Sequence, residues 1–364
     1  MLGLVMNPYA GLGGAVGLHG SDGAGTIAEA LRRGAQSPVP ERTRRAMETF
    51  RREGGGAVLA GPGPLGADVL DELGMPHETI TLEPRGGAQD TRDCVSAMTD
   101  AVDLILFAGG DGTACDVASA RTGDVPVLGI PAGVKMHSAV FARSPEEAGR
   151  IAARYLAAAR RRRAQADVMD IDEDARRAGV LSASLHDVVP VPDVGLRLQG
   201  PKARTSGDIS ELDPAIGEYV RRMMPSILFL AGPGTAMAAL KARVGGGTLL
   251  GVDAILDGNI VGRDLSEQQI LDLLEQQPEA RIVLSVIGGQ GFLLGRGNQQ
   301  LSARVIRRVG PANIDILCQG AKLAALHPVE LSVDTGDRAL DAELAGYKPV
   351  TTGAGRQQVV RISC

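Results

Sequence analysis

The sequence predicts an α/β protein with a parallel sheet and more than one domain. From Leu2 to Ile130, short apolar runs alternate with segments of helical period, the pattern of successive βαβ units. One run, Leu104 to Ala108, is apolar throughout, as suits a strand covered on both faces, and it leads into Gly109-Gly110-Asp111-Gly112-Thr113. A chain of 364 residues exceeds what one small core organises. Two domains are therefore expected, 1–145 and 146–364, with the last strands either completing the second or returning to the first.

Leu2 to Met6 reads as the first strand, and Asn7-Pro8 ends it because proline cannot continue a central strand. Gly11 to Gly25 is glycine-rich and long for a βα loop; such loops are either functional or simple flexible flaps. Pro40 to Arg52 is an expected helix with Met47 and Phe50 on one face and arginines on the other. Ala57 to Ala60 is a small strand. The following Gly61-Pro62-Gly63-Pro64-Leu65-Gly66 has the form G-x-G-x-x-G, but Pro62 and Pro64 delete two N–H groups that a pyrophosphate needs. A turn with Pro64 near a helix start is expected there. Glu78 to Leu82 is the next strand and Gln89 to Thr99 the next helix. After Leu104 to Ala108, a helix starting near Ala114 is expected, capped by Thr113 or Asp111, and then a strand over Val127 to Ile130.

Ser144-Pro145-Glu146-Glu147 is a capping box with proline at the first helical position. Its helix is expected to reach Arg160 to Arg163, where four arginines complement the helix dipole. The interdomain linker is expected between Phe141 and Asp167. Val168 to Asp174 alternates acid and apolar residues as a half-exposed strand does; Asp170, Asp172, Glu173 and Asp174 match no metal-loop motif. Val188 to Leu198 continues in extended style. Ser226 to Ala231 is a buried strand that ends in Gly232-Pro233-Gly234-Thr235, a second glycine turn of the same form as the first. Ser266-Glu267-Gln268-Gln269 opens a capped helix. Arg281 to Ile287 is a strand that ends in a third glycine turn, Gly288-Gly289-Gln290-Gly291.

Bulk properties narrow the function classes. A net charge of −5 argues against general nucleic-acid binding. Cys94, Cys115, Cys318 and Cys364 are far apart, which argues against a disulfide framework or a zinc site, and free thiols are expected. The start of the chain lacks a basic leader and no apolar run reaches membrane-span length, so a cytoplasmic setting without membrane insertion is the expectation. No G-x-x-x-x-G-K-[ST], G-x-S-x-G or H-E-x-x-H occurs. What remains is glycine turns at strand ends, whose N–H groups suit phosphate, with one carboxylate, Asp111, embedded among them. Pro131, Gly133 and Lys135 follow the neighbouring strand, and Lys135 reads either as a cation that neutralises a phosphate or as an ordinary solvated lysine. His137 reads as a hydrogen-bonded loop residue. The combination suits phosphoryl transfer, in which the protein mainly positions groups and neutralises charge.

Gly109-Gly110-Asp111-Gly112-Thr113 after an apolar strand resembles the signature of the NAD kinase superfamily, which includes diacylglycerol and sphingosine kinases. Met6-Asn7-Pro8-Tyr9-Ala10-Gly11-Leu12-Gly13-Gly14, Gly129 to Ser138 and Ile287 to Phe292 are similar to the ATP- or polyphosphate-dependent NAD kinase group that includes the acetoin-catabolism X protein, AcoX. The resemblance implies a Rossmann-like α/β N-terminal domain and a β-rich α+β C-terminal domain with the site in their cleft. It implies ATP or polyphosphate as donor, Mg²⁺, and the 2′-OH of NAD as acceptor. It makes Asp111 the base and Gly109, Gly110, Gly112 and Thr113 phosphate holders. Asn7, Gly11, Gly13 and Gly14 would close over the site. Gly232, Gly234 and Thr235 match the second-domain glycine turn, and Gly288, Gly289, Gln290 and Gly291 form a further phosphate-holding turn. A homodimer or larger homo-oligomer is expected.

The chain departs from standard NAD kinases in one respect. Those enzymes carry an Asn-Glu pair that helps hold NAD, whereas here none of Asn7, Asn259, Asn298 and Asn313 is followed by Glu. The acceptor stays open between NAD and another small-molecule or lipid-head-group alcohol. A non-catalytic nucleotide sensor is the reading from a different class.

Overall fold

The computed structural model describes residues 1–12, 16, 24–133, 136–171, 183–194, 209–286, 291–326 and 328–364. They pack as two units, one holding most described residues up to Val194 and the other most of those from Ile209 onward.

The first unit carries strands β1 (Leu2–Met6), β2 (Val58–Ala60), β3 (Glu78–Thr79), β4 (Leu104–Gly109) and β5 (Val127–Pro131). Its helices are α1 (Ala24–Arg32), α2 (Val39–Arg52), α3 (Ala67–Glu72), α4 (Ala88–Met98), α5 (Asp111–Ala120) and α6 (Pro145–Ala157). The strands form one parallel sheet in the order β3-β2-β1-β4-β5. Alternation along β4 sets the layers: Leu104, Leu106 and Ala108 join one apolar cluster and Ile105 and Phe107 the other. The first cluster is closed by Met47 and Phe50 of α2 and Ile151 and Tyr155 of α6; the second by Val95 and Met98 of α4 and Val117 of α5. The hairpin β6 (Arg163–Ile171) and β7 (Ala183–Pro192) adds Val168 and Val189 to the second cluster. Gly149 lets α6 approach α2, because a Cβ there would stand 2.1 Å from the Ala46 carbonyl oxygen.

Three local expectations are corrected. β3 is only Glu78–Thr79 and exposed, not Glu78 to Leu82; it lies at the sheet edge, with one neighbour to pair with. α6 ends at Ala157 rather than running into the arginines, because Ala158 is already extended. Arg161, Arg162 and Arg163 pair instead with Asp103, Asp193 and Asp124. α5 begins at Asp111, not near Ala114, because Gly110 adopts the extended cap conformation. Neither Asp111 nor Thr113 is therefore the cap.

The second unit holds α7 (Asp213–Arg221), β8 (Leu228–Ala231), α8 (Thr235–Ala242), β9 (Asp253–Leu256), β10 (Asn259–Gly262), α9 (Glu267–Gln276), β11 (Ala280–Leu284) and β12 (Phe292–Leu294). It continues with α10 (Ala303–Val309), β13 (Ile314–Ile316), α11 (Gly320–Ala324), β14 (Glu330–Val333), α12 (Arg338–Leu344), β15 (Gly346–Gly353) and β16 (Arg356–Ser363). Two mixed sheets result, β10-β9-β8-β11-β13 and β12-β14-β16-β15. Leu228 and Leu230 face the cluster containing Ile270, Leu274, Val305 and the second sheet's Leu331 and Ile362, while Phe229 and Ala231 face Ile216, Met237 and Leu240. Ser266 and Gln269 form the expected capping box at the start of α9. The α/β first unit and mixed-sheet second unit are the architecture the sequence predicts.

Candidate active site

From β1 the first sheet grows one way through β2 and β3, and then the chain crosses to β4 and β5 on the other side. The order reverses between β1 and β4, and the crevice at such a switch point is where open α/β sheets bind ligands. Residues following three adjacent strands meet there. Asn7 leaves β1 with its N–H on the Ala108 carbonyl at 3.0 Å, and its Nδ2 donates across the crevice to Thr113 Oγ1 at 3.2 Å. The Tyr9 N–H returns to Asn7 Oδ1 at 3.0 Å and so fixes which way the amide points.

Close approach explains most glycines here. A Cβ on Gly109 would lie 2.3 Å from Thr113 Oγ1, and one on Gly133 2.7 Å from Gly110 Cα. Gly11 has φ +73°, and a Cβ there would meet the Ala132 carbonyl oxygen at 2.3 Å. Gly112 is the exception: it is exposed, its φ is ordinary, and a Cβ there would meet nothing within 4 Å. No packing within the described residues requires glycine at that position. The first intrahelical bond of α5 is Ala114 N–H to Gly110, and no side chain caps the helix. The N–H groups of Gly112, which is exposed, and of Thr113, which is buried, thus precede the helical ladder, where a phosphate cradle draws its donors.

Asp111 is buried at the first position of α5. Its carboxylate accepts from the N–H of His137 at 2.7 Å, the N–H of Ser138 at 2.9 Å and the hydroxyl of Ser138 at 2.6 Å. Ser138 Oγ in turn accepts from the Met169 N–H of β6 at 3.0 Å. A carboxylate offers about four acceptor sites, so three donors aim it firmly. His137 is held in the loop by its own N–H, as expected of it. One turn along α5, burial and the charges of Asp170, Asp111 and Asp116 push the Cys115 thiol up to about 12, which makes it inert as a nucleophile. All four cysteines are free.

The model of the ATP-NAD kinase N-terminal domain matches residues 2–160, and that of the ATP-NAD kinase C-terminal domain matches residues 227–362. The chain belongs to the NAD kinase superfamily. It has the architecture of an ATP-NAD kinase-like phosphotransferase. No curated protein and no solved structure gives a significant match.

Within this NAD kinase framework, Asn7, Gly11, Gly109, Gly110, Asp111, Gly112, Thr113, Pro131 and Gly133 gather at one sheet edge of the first unit. Gly232, Gly234 and Thr235 gather in the second unit, where Gly234 (φ +108°) opens α8 and its N–H bonds the Leu249 carbonyl at 2.8 Å. Gly291 precedes β12, its carbonyl accepting from Ser332 N–H at 2.8 Å. Gly13, Gly14, Lys135, Gly288, Gly289 and Gln290, with Asp172, Glu173 and Asp174, lie outside the described residues.

Sequence reasoning missed two residues of the first edge. Ser138 closes the Gly129-to-Ser138 stretch but had no role assigned, being 27 positions from the acid it contacts. Arg42 looks like one more arginine on a basic helix face, yet it donates to the Pro131 carbonyl at 2.9 Å. The asparagines of the second unit are spent locally. Asn298 bonds Gly295 N–H and the Leu293 carbonyl, Asn313 the Val309 carbonyl and Asn259 the Asp257 carbonyl. Among the described residues, no group of three or more His, Cys, Asp or Glu is arranged to hold a metal, and no helix is long and apolar enough to cross a membrane.

Proposed function

We propose that the protein transfers a phosphoryl group from ATP or polyphosphate to a hydroxyl of a small molecule, with the 2′-OH of NAD as first acceptor, in the manner of the AcoX-like group. The observation that carries the reading is the β1/β4 crevice, where exposed Gly112 lies in the first turn of a helix without a side-chain cap and a buried carboxylate stands alongside. In the reaction, the acceptor oxygen bonds to the terminal phosphorus and the bond from that phosphorus to the donor's bridging oxygen breaks. The hydroxyl proton passes to the Asp111 carboxylate, which the Ser138 hydroxyl and two N–H groups hold in place. The Gly112 and Thr113 N–H groups bind phosphate oxygens, and Asn7 fixes Thr113 across the crevice. A single buried carboxylate beside a phosphate cradle suits Mg²⁺, which leans on substrate phosphates more than on protein cages. When bound there, Mg²⁺ supplies charge neutralisation at the transferring group.

A second acceptor reading has its own support. The Asn-Glu pair is absent, and Asn259, Asn298 and Asn313 are engaged in local turns. The test is purified protein with Mg²⁺ and either ATP or polyphosphate, offered NAD and a panel of alcohols, with new phosphate esters followed by phosphorus NMR. A phosphorylated dinucleotide supports the first reading. Transfer to another alcohol with NAD inert supports the second. Nucleotide binding with no transfer to any acceptor contradicts both and favours a sensor.

A further inference from the structure

The parallel strands of the second unit end on a lysine that no described carboxylate neutralises. β8, β11 and β13 lie side by side and point the same way, so their C-terminal ends form one edge. β8 ends there in Gly232-Pro233-Gly234-Thr235, β11 in Ser285-Val286 and β13 in Leu317-Cys318. α11 turns back from β13, and Lys322 Nζ donates to the Val286 carbonyl, over the end of the middle strand. The end of β8, where α8 opens without a side-chain cap, is one strand spacing away, ~4.8 Å.

Lys322 is half-buried, and among the described residues that carbonyl is its one hydrogen-bond partner, with no ion pair. The four residues after Val286 (Ile287, Gly288, Gly289 and Gln290) include no acid. Burial holds the Lys322 amine below the usual lysine range, opposed only by the neighbouring Cys318 thiol. Lys241 of the same unit shows the usual remedy for a buried cation: it is fully buried, 3.1 Å from Asp253 Oδ2, and donates to the Thr248 and Gly251 carbonyls. Taking a charge out of water is costly unless a counter-charge is supplied. On the ligand edge of a parallel sheet, the missing counter-charge comes from a ligand.

We propose that Lys322 binds a phosphoryl group at the β8/β11/β13 edge. This rests on the reading above that the ligands are phosphorylated, and extends it to a residue that no motif marks.

The test uses the full chain and two variants, Lys322→Met and Lys322→Arg, with ATP, tripolyphosphate and NAD titrated separately by calorimetry and melting temperatures measured without ligand. Loss of one charge-assisted contact predicts about 10- to 100-fold weaker binding of the phosphate in question by Lys322→Met. Its melting temperature should hold or rise, because an unneutralised charge is gone. Lys322→Arg, which keeps the charge, should bind close to wild type. Weakened ATP and tripolyphosphate together assign Lys322 to the donor chain; weakened NAD alone assigns it to the acceptor's pyrophosphate. If wild type binds its ligands and Lys322→Met binds them equally well, this proposal fails and the phosphotransferase reading stands. Weaker binding with a lowered melting temperature marks a structural lysine and also overturns it. Wild type that binds none of the three overturns both.

Discussion

Three donors grip the Asp111 carboxylate, and that decides how its variants behave. The His137 N–H, Ser138 N–H and Ser138 hydroxyl all point at the carboxylate. Asparagine keeps one acceptor oxygen and turns an NH₂ toward groups that also donate. Asp111→Asn should therefore cost about 1–3 kcal/mol of stability, the penalty of a buried donor left unmatched. As the base, it should also lose about 10²–10⁴-fold in turnover. Urea unfolding and phosphoryl-transfer rates on the same preparation check both. Wild-type stability would contradict the clasp, and wild-type turnover would contradict the base. Sequence alone marks Asp111 as important but leaves it a candidate cap. The cap falls to Gly110 because its backbone is extended, at φ −116° and ψ −163°, a property of the turn and not of residue type. The role of Ser138 is hidden for a related reason: its contact with Asp111 forms only once the loop after β5 packs against α5 and β6.

At the scale of elements, the loop from α8 to β9 is held by a cluster of buried polar contacts. Asp253 accepts from the Thr248 N–H at 2.6 Å, the Thr248 hydroxyl at 2.8 Å and the Asp264 N–H at 2.7 Å, besides pairing with Lys241. The Leu249 carbonyl of this loop receives the Gly234 N–H, so the pair braces the second glycine turn. Lys241→Met should destabilise by about 3–5 kcal/mol, because a buried carboxylate is left without its counter-charge. Equilibrium denaturation measures this. The sign is opposite to that expected for Lys322→Met, and a stabilised Lys241→Met would show that Asp253 is satisfied without the amine. Strands such as Leu104 to Ala108 and the capping box at Ser266 were legible because apolar runs and caps are local signals. The end of α6 at Ala157 and the shortness of β3 were not. The first is set by the extended Ala158 and by Arg163, which already pairs with Pro192 across the β6/β7 hairpin, and the second by the strand's place at the sheet edge.

For the whole molecule, the α/β alternation pointed to a parallel sheet, and the resemblance carried by Gly109 to Thr113 and its flanking stretches pointed to the NAD kinase architecture. Strand order was not readable, because parallel strands of similar composition carry no label for their neighbours. The order β3-β2-β1-β4-β5 is what places Asn7 beside Gly109 to Thr113 and makes a crevice of two separate motifs. The claim that phosphoryl transfer happens in that crevice is tested most directly by the transfer rate of Gly112→Ala beside wild type. A Cβ there meets nothing within 4 Å, so the variant should fold as well as wild type or gain up to ~1 kcal/mol from lost glycine freedom. The methyl group would displace the phosphate from the N–H cradle, and the rate should fall about 10²-fold. Wild-type turnover by a well-folded Gly112→Ala would place the transferring phosphate elsewhere and contradict the account.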